Sequence, residues 1–513
     1  IAGSDGGGIF SEGITASSII TITDSYVSGN IATNGHGGGI YSYSRLASKV
    51  NVLNSTFGIL EDNVTAAGNT AKLHGGAIYS VASNYNQNDN STAVIASNSS
   101  IVLIQDSILS NNVAQTGAGG AIFNQSYIKA TDQTHTTNTT SASITIENST
   151  LNNNQATTAG GAVYNQSYTY IYRSHGSGGS TYLITANATA TMVINNSDFD
   201  NNIVSNGSGG AIYNIAYAYA YNTYSYSTYY YTYGYNYSKA TTLATITIDK
   251  GLLSDSTFTN NKALDGSGGA IFNQSQAKAF IAESTAKIES DNSKFTSNTA
   301  NANGGTIYNF SQTYSSTSSE SEYKYSNGLR NDTLATSSGT SNTEVIITNG
   351  TFTTNTASTG SGGAIYNYSG ANAYHQNSHS YGEHTLQVTT TSNASIVITN
   401  SQLNQNNAGM NGGAIYNENS ANSDARNQKG SYQTARAIAK NTANTTITMI
   451  DSTIAKNTAG THGGGIYTSN TANSYAWNSY GSYGTGSSTT TSNANDTITI
   501  SNSTIANNKA LDG

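Results

Sequence analysis

The chain has 513 residues, a net charge of −8 from 19 Lys+Arg against 27 Asp+Glu, only 9% charged residues, and neither Cys nor Pro. Without Cys there is no disulfide framework and no thiolate metal site, and a sparse acidic charge excludes a basic surface for nucleic acid or anionic membrane. No run reaches the roughly 18 consecutive apolar residues of a membrane-spanning helix.

Starting at Ile1 with no signal peptide, the chain reads as a mature product or an excised piece. The lack of Pro points to stacked strands, because Pro is shut out wherever both edges of a strand are paired. In chain order, a hexapeptide of the form Gly160-Gly161-Ala162-Val163-Tyr164-Asn165 recurs eleven times, beginning at Gly6, Gly37, Gly75, Gly119, Gly160, Gly209, Gly268, Gly304, Gly362, Gly412 and Gly463. After the first copy, each is preceded by an alternating apolar run, an Asn or Asp, an apolar residue and a further Asn. Ile144, Ile146, Asn148, Leu151 and Asn154 show the frame, and Asn196, Phe199 and Asn202 repeat it.

The unit from Ile144 to Ser167 holds three short β-type runs between Gly/Asn turns and no helical period. Three strands per repeat make one coil of an all-β solenoid, a single domain over residues 1–513 with about eleven three-strand coils in parallel register. Alternation assigns three interior ladders. One contains Ile144, Ile146, Ile396, Ile398, Ile498 and Ile500. The second contains Leu151, Phe199, Phe258, Phe295, Phe352 and Leu403, and the third Ile122, Val163, Ile212, Ile271, Ile307, Ile365 and Ile415. Tyr164, Tyr213 and Phe272 then face outward as an aromatic stack.

The turn position reads Asp24, Asn54, Asp106, Asn148, Asn196, Asp255, Asn292, Asn349, Asn400, Asp451 and Asn502, with no two Asp adjacent. Stacked amides hydrogen-bond from coil to coil, whereas two carboxylates about 4.8 Å apart repel by roughly 3 kcal/mol at an effective dielectric near 20. The series is therefore an amide ladder that tolerates isolated Asp.

Insertions of variable length emerge at one corner of the coil, and hairpin arms there would form a Tyr-rich lateral lobe. The richest carries Tyr217, Tyr219, Tyr221, Tyr224, Tyr226, Tyr229, Tyr231, Tyr233, Tyr235 and Tyr237. Two readings stay open: these rings pack fin against fin or rod, or they are exposed to stack on sugar rings or on another surface. Asn124, Asn165, Asn236, Asn273, Asn309 and Asn367 head N-x-Ser sequons, acceptors for glycans in a secreted chain.

An active site of the polysaccharide lyase or hydrolase type needs paired carboxylates with a basic residue beside them, but the acids are scattered and Arg is confined to Arg45, Arg173, Arg330, Arg426 and Arg436. His375, His379 and His384 with Glu383 sit too far apart on an extended arm for one ion, about 13 Å between the first two. His36, His74 and His462 precede Gly pairs and read as turn-exposed. No catalytic, metal or cofactor site is expected. The segment Ser503 to Gly513 repeats Ser256 to Gly266, which leads into Gly268, and Ile1 to Phe10 begins close to that continuation. Stacking of copies head to tail, or further repeats of a longer chain, is the expected partnership.

The paired motifs, as at Phe199 to Asn202 with Gly209 to Ile212 and at Phe258 to Asn261 with Gly268 to Ile271, resemble the polymorphic outer-membrane protein repeat with its GGAI and FxxN motifs. That resemblance covers all eleven repeats and implies a right-handed parallel β-helix of the kind found in surface adhesins and autotransporter passengers. It differs in that this sequence ends within a repeat, with no membrane barrel. It implies a non-catalytic extracellular, cell-surface adhesin rod or filament subunit; a polysaccharide-binding or -cleaving β-helix is the alternative.

Overall fold

The computed structural model describes residues 1–58, 67–87, 95–131, 136–175, 182–224, 236–250, 255–319, 333–379, 384–429, 434–479 and 485–512. They wind into a right-handed parallel β-helix of four sheets with eleven strands each, every strand paired in parallel with its counterparts in the adjoining coils. One coil comprises Val163–His175, Tyr182–Asn195, Asp198–Asp200 and Ile203–Val204, one strand for each of the first to fourth sheets. The coil thus carries a fourth, two-residue strand beyond the three expected.

The hexapeptide forms the turn into the first sheet. Its first Gly is left-handed in all eleven copies, with φ between 60° and 73°. Its second Gly lies against the next coil: a Cβ on Gly161 would stand 2.0 Å from the Gly210 carbonyl oxygen. One glycine is required for backbone conformation, the other for close stacking.

Three aliphatic and aromatic ladders fill the interior, with the register expected. Leu151, Phe199, Phe258, Phe295, Phe352 and Leu403 are each fully buried and in direct pairing. Ile144 and Ile146 lie between Val102 and Ile104 below and Met192 and Ile194 above. Ile498 and Ile500 occupy the same register in the last coil and are 48% and 46% exposed.

An amide ladder runs inside the column. Asn30, Asn69, Asn112, Asn154, Asn202, Asn261, Asn298, Asn355, Asn406, Asn457 and Asn508 donate Nδ2–H to the next Oδ1 at 2.9–3.1 Å, without a break. The second Nδ2–H reaches back to a carbonyl of the preceding coil, as from Asn112 to Phe57 at 3.0 Å and from Asn154 to Leu109 at 2.9 Å. Each Oδ1 also accepts a backbone N–H, as from Asn112 to Asn154 at 3.0 Å. Both hydrogens and both lone pairs are used, so the cost of desolvating the buried amide is offset by its own hydrogen bonds. The FxxN spacing is the reach from that amide to the carbonyl of the apolar residue one coil back.

The turn series is outside this column. Its members are left-handed, φ 45–52°, with Asp249 and not Asp255 in the sixth coil. Asp255 lies outside the left-handed series and pairs with Lys294. Asp249 is fully buried and accepts from the Asn196 and Ser256 amides at 2.7 and 2.6 Å and from the Ser256 hydroxyl at 2.9 Å. Elsewhere the series is solvent-facing yet still laddered, as from Asn148 to Asp106 at 3.1 Å and from Asn196 to Asn148 at 3.0 Å.

The two ladders differ in what a charge would cost. Asn202→Asp removes two buried donors and sets a carboxylate against the Asn261 Oδ1; a loss of about 3 kcal/mol is expected. Asn148→Asp beside Asp106 is expected to cost only about 1 kcal/mol, because this pair is solvent-exposed and the dielectric there approaches that of water, not 20, and the cost shrinks with salt. Urea unfolding of both variants checks the order, and equal losses would remove the buried ladder from its role in setting the coil.

Candidate binding surface

The insertions lengthen the first and second sheets sideways. First-sheet strands grow from Ile9–Gly13 to Ile365–His379, and second-sheet strands from Ser18–Thr23 to Thr434–Ile450. Among the described residues the two arms of an insertion extend the coil's own strands outward, as expected, but share no backbone pairing, which corrects the hairpin expectation. Each arm pairs in parallel with the arms above and below, so its backbone groups are already spent, and the arms meet only through side chains. The fin is a two-sheet sandwich made of stacked arches.

Small residues fill that sandwich. Ala216, Ala218 and Ala220 of the first sheet pack with Ala186, Ala188 and Ala190 of the second. Hydroxyls bridge the sheets elsewhere, as between Thr140 and both Ser167 (2.7 Å) and Thr169 (2.8 Å). A strand that alternates Ala and Tyr with Ala inward has every Tyr outward. Tyr217, Tyr219 and Tyr221 therefore lie on the outer face, each half-buried. Tyr224 and Tyr237 are in strands whose side chains lie outside the described residues at those positions, and Tyr226, Tyr229, Tyr231, Tyr233 and Tyr235 lie outside the described residues altogether.

On this face the rings lean on one another diagonally. Tyr168 meets Tyr219 at 5.7 Å and the edge of Tyr217 at 6.2 Å, and Tyr170 meets Tyr221 at 5.7 Å. The hydroxyls of Tyr217 and Tyr219 donate to Gln274 and Gln276 Oε1 at 3.3 and 3.1 Å. Burial, reinforced by neighbouring phenols, pushes Tyr168 up to about 12 and raises Tyr217 and Tyr219 as well. A groove of about 530 Å³ runs over this field, bordered by Tyr168, Tyr170, Tyr219, Tyr221 and Lys278.

Nearer the column, the outward stack forms as expected and spans every coil. Phe10, Tyr41, Tyr79, Phe123, Tyr164, Tyr213, Phe272, Tyr308, Tyr366, Tyr416 and Tyr467 follow one another at 4.6–5.3 Å with planes within 12°. Its flank is covered, and Phe123 is only 5% exposed. His74 is part of that cover and not turn-exposed: it packs on Phe123 at 4.5 Å, and its Nδ1 accepts the Ala118 N–H at 2.9 Å. Burial, aided by His36, brings it down to about 4. Only His462 of the three is exposed.

The sequon asparagines are corrected outright. Asn124, Asn165, Asn273, Asn309 and Asn367 are fully buried and form a second amide ladder, with Nδ2 to Oδ1 distances of 2.8–2.9 Å. The nitrogen a glycan would occupy also bonds carbonyls of the second sheet, as from Asn165 to Ala142 and Thr191 at 3.2 Å each. A glycan there would break the seam between column and fin. The side chain of Asn236 lies outside the described residues.

Two carboxylates do meet a base on the second sheet's outer face. Lys287 Nζ lies 2.7 Å from Glu289 and 2.9 Å from Glu344, and Lys250 lies 2.6 Å from Glu289. Burial would raise Glu289, but the two lysines outweigh it and hold the carboxyl below its ordinary range. A glycosidase acid needs the opposite shift. His375 faces the fin interior, fully buried and pushed down to about 4 by burial, with Phe280 edge-on at 6.3 Å. Glu383 lies outside the described residues, as do the side chains of His379 and His384.

Since the folded phenols ionise later than free tyrosine, their contribution to stability is complete below pH ~10 and is lost as pH rises through the folded values. Absorbance titration at 295 nm should show part of the tyrosine ionising only with cooperative unfolding; a single smooth titration near 10 would contradict the packed aromatic face.

Compared with known families, the model of the Chlamydia polymorphic membrane protein repeat matches residues 148–166, 255–274 and 451–469. No curated protein and no solved structure matches the chain. The first match runs from the turn residue Asn148 through the buried Asn154 and the Gly160–Gly161 pair to the seam residue Asn165, so what the family model recognises is the stretch that builds both amide ladders. Three segments of the column are thus similar to the Chlamydia polymorphic membrane protein repeat.

Proposed function

We propose that the chain is a non-catalytic adhesive column of an extracellular cell surface. In this reading the amide ladders supply rigidity and the fin supplies contact, and successive coils of another copy, or of further repeats, continue the column head to tail. The name of the matched repeat, that of a membrane protein family, supports the location.

The observation that carries the adhesive role is the parity of the fin strands. Ala inward makes a thin, fully packed sandwich, and Tyr outward turns its face into an aromatic field at fixed spacing. Tyr and Trp give large contact area at low entropic cost, and a field held by backbone pairing is pre-organised for binding. The polysaccharide-cleaving alternative has the Lys287, Glu289 and Glu344 cluster in its favour, but Glu289 is ionised there, which suits an ion-pair network.

Beads coated with the purified protein test the reading in a cell-adhesion assay. The triple variant Tyr168→Ser, Tyr217→Ser, Tyr219→Ser is expected to lower adhesion about tenfold, while Ala-facing and ladder positions keep the circular dichroism of the parent. Undiminished adhesion by the folded variant would sink the assignment of contact to this face. Electron micrographs address stacking separately: rods continuing at a period of roughly 50 Å, about eleven coil rises, are the expected image.

A further inference from the structure

One register column on the fin's outer face differs from its neighbours. Reading coil by coil, Tyr85, Lys129, Tyr170, Tyr219, Lys278 and Tyr314 are direct partners in consecutive strands. Each lysine lies beside aromatic rings: Lys129 Nζ is 5.4 Å from the Tyr85 ring centre and 5.9 Å from that of Tyr170, and Lys278 is 5.2 Å from Tyr221. Neither forms an ion pair among the described residues, whereas Lys239, Lys250, Lys287 and Lys294 all do. Among the described residues no carboxylate lines the groove. Gln276, whose Oε1 already accepts from Tyr219, adds its Nε2 hydrogens as donors.

The surface therefore presents cations, N–H donors and ring faces, a set that complements an acceptor-rich anion with apolar ring faces of its own. Spacing narrows the choice. Lys129 and Lys278 are three coils apart, roughly 14 Å along the axis at the usual strand separation. A nucleic-acid strand places a phosphate about every 3.4 Å of duplex rise, far denser than two lysines can neutralise on a chain of net charge −8. A linear polysaccharide in which acidic sugars are interspersed with neutral ones carries charge at a density that two lysines can meet, with sugar rings falling over Tyr170 and Tyr219.

We propose that this column is a binding site for a sparsely charged anionic polysaccharide laid along the rod axis, with Lys129 and Lys278 taking its acidic groups and the tyrosines between them its sugar rings. This rests on the adhesive reading and names the ligand class for the same face.

Titration calorimetry of the whole chain with hyaluronan, in which glucuronate alternates with N-acetylglucosamine, provides the test. Carboxyl-reduced hyaluronan and an oligothymidylate serve as competing probes. The expected result is binding to hyaluronan that weakens with salt, falls roughly tenfold in Lys129→Gln/Lys278→Gln, and returns in Lys129→Arg/Lys278→Arg. Equal affinity for the carboxyl-reduced polymer would overturn the anionic assignment while leaving a sugar-binding adhesive face intact. Tighter binding of the oligothymidylate, or no binding of any probe by folded protein, would overturn the proposal; the bead assay then decides the adhesive reading independently.

Discussion

The structure depends on one side chain meeting its own copy one coil away. An asparagine amide has two hydrogens and two lone-pair sites, and the strand separation of about 4.8 Å is a distance at which stacked amides bond without strain. Each such bond adds only about 1 kcal/mol net, because water would otherwise satisfy the same groups. A slip in register is another matter, since every buried amide in the slipped coil would be left with orphaned donors at about 1–3 kcal/mol apiece. The Asn30 to Asn508 ladder therefore specifies the coil more than it strengthens it. The Phe199 to Phe352 ring ladder, with centroids 4.5–4.9 Å apart, shares its period and needs no further determinant.

Much of this was legible in the sequence, because a repeat prints the same structural reason many times. The period of two in Ile144 and Ile146 identifies a half-inward strand, and Gly160-Gly161 marks a turn that no larger residue fits. What was not legible has physical causes. Ile203–Val204 is too short to show any period, so the fourth sheet had no signature. Hairpin and arch share the same alternation, and only the partner of the backbone hydrogen bonds separates them. Asp255 matched the motif locally, but Asp249 takes the left-handed place. The sequons were misread although a signal existed: Asn124 lies two residues beyond the inward Ile122 and so must point inward too. The same parity, counted from Ile212, places Tyr217 outward.

The charge economy follows from the architecture. In a column where every outward position has a copy above and below it, like charges in one register repel through successive coils, and neutral polar or aromatic residues do not. Where acids and bases occur in neighbouring coils they compensate in place, as Lys239 with Glu283 and Lys287 with Glu344 at 3.0 and 2.9 Å. Lys129 and Lys278 are separated from each other by two tyrosine coils, which keeps their repulsion weak, and neither is ion-paired among the described residues.

Outward fin positions are thus the places where the repeat leaves chemistry undetermined. The register that reads Tyr and Lys from Tyr85 to Tyr314 continues through Asn372, Asn422 and Asn473, which ladder at 3.0 and 3.1 Å. One geometric column therefore changes from an aromatic and cationic face to a self-satisfied amide ladder without any change in backbone pairing. A surface whose amides already bond each other has little left to offer a ligand, whereas rings and unpaired cations do. In this register, rings and lysines occupy the third to eighth coils, and the later coils extend the same scaffold with the column closed by its amides.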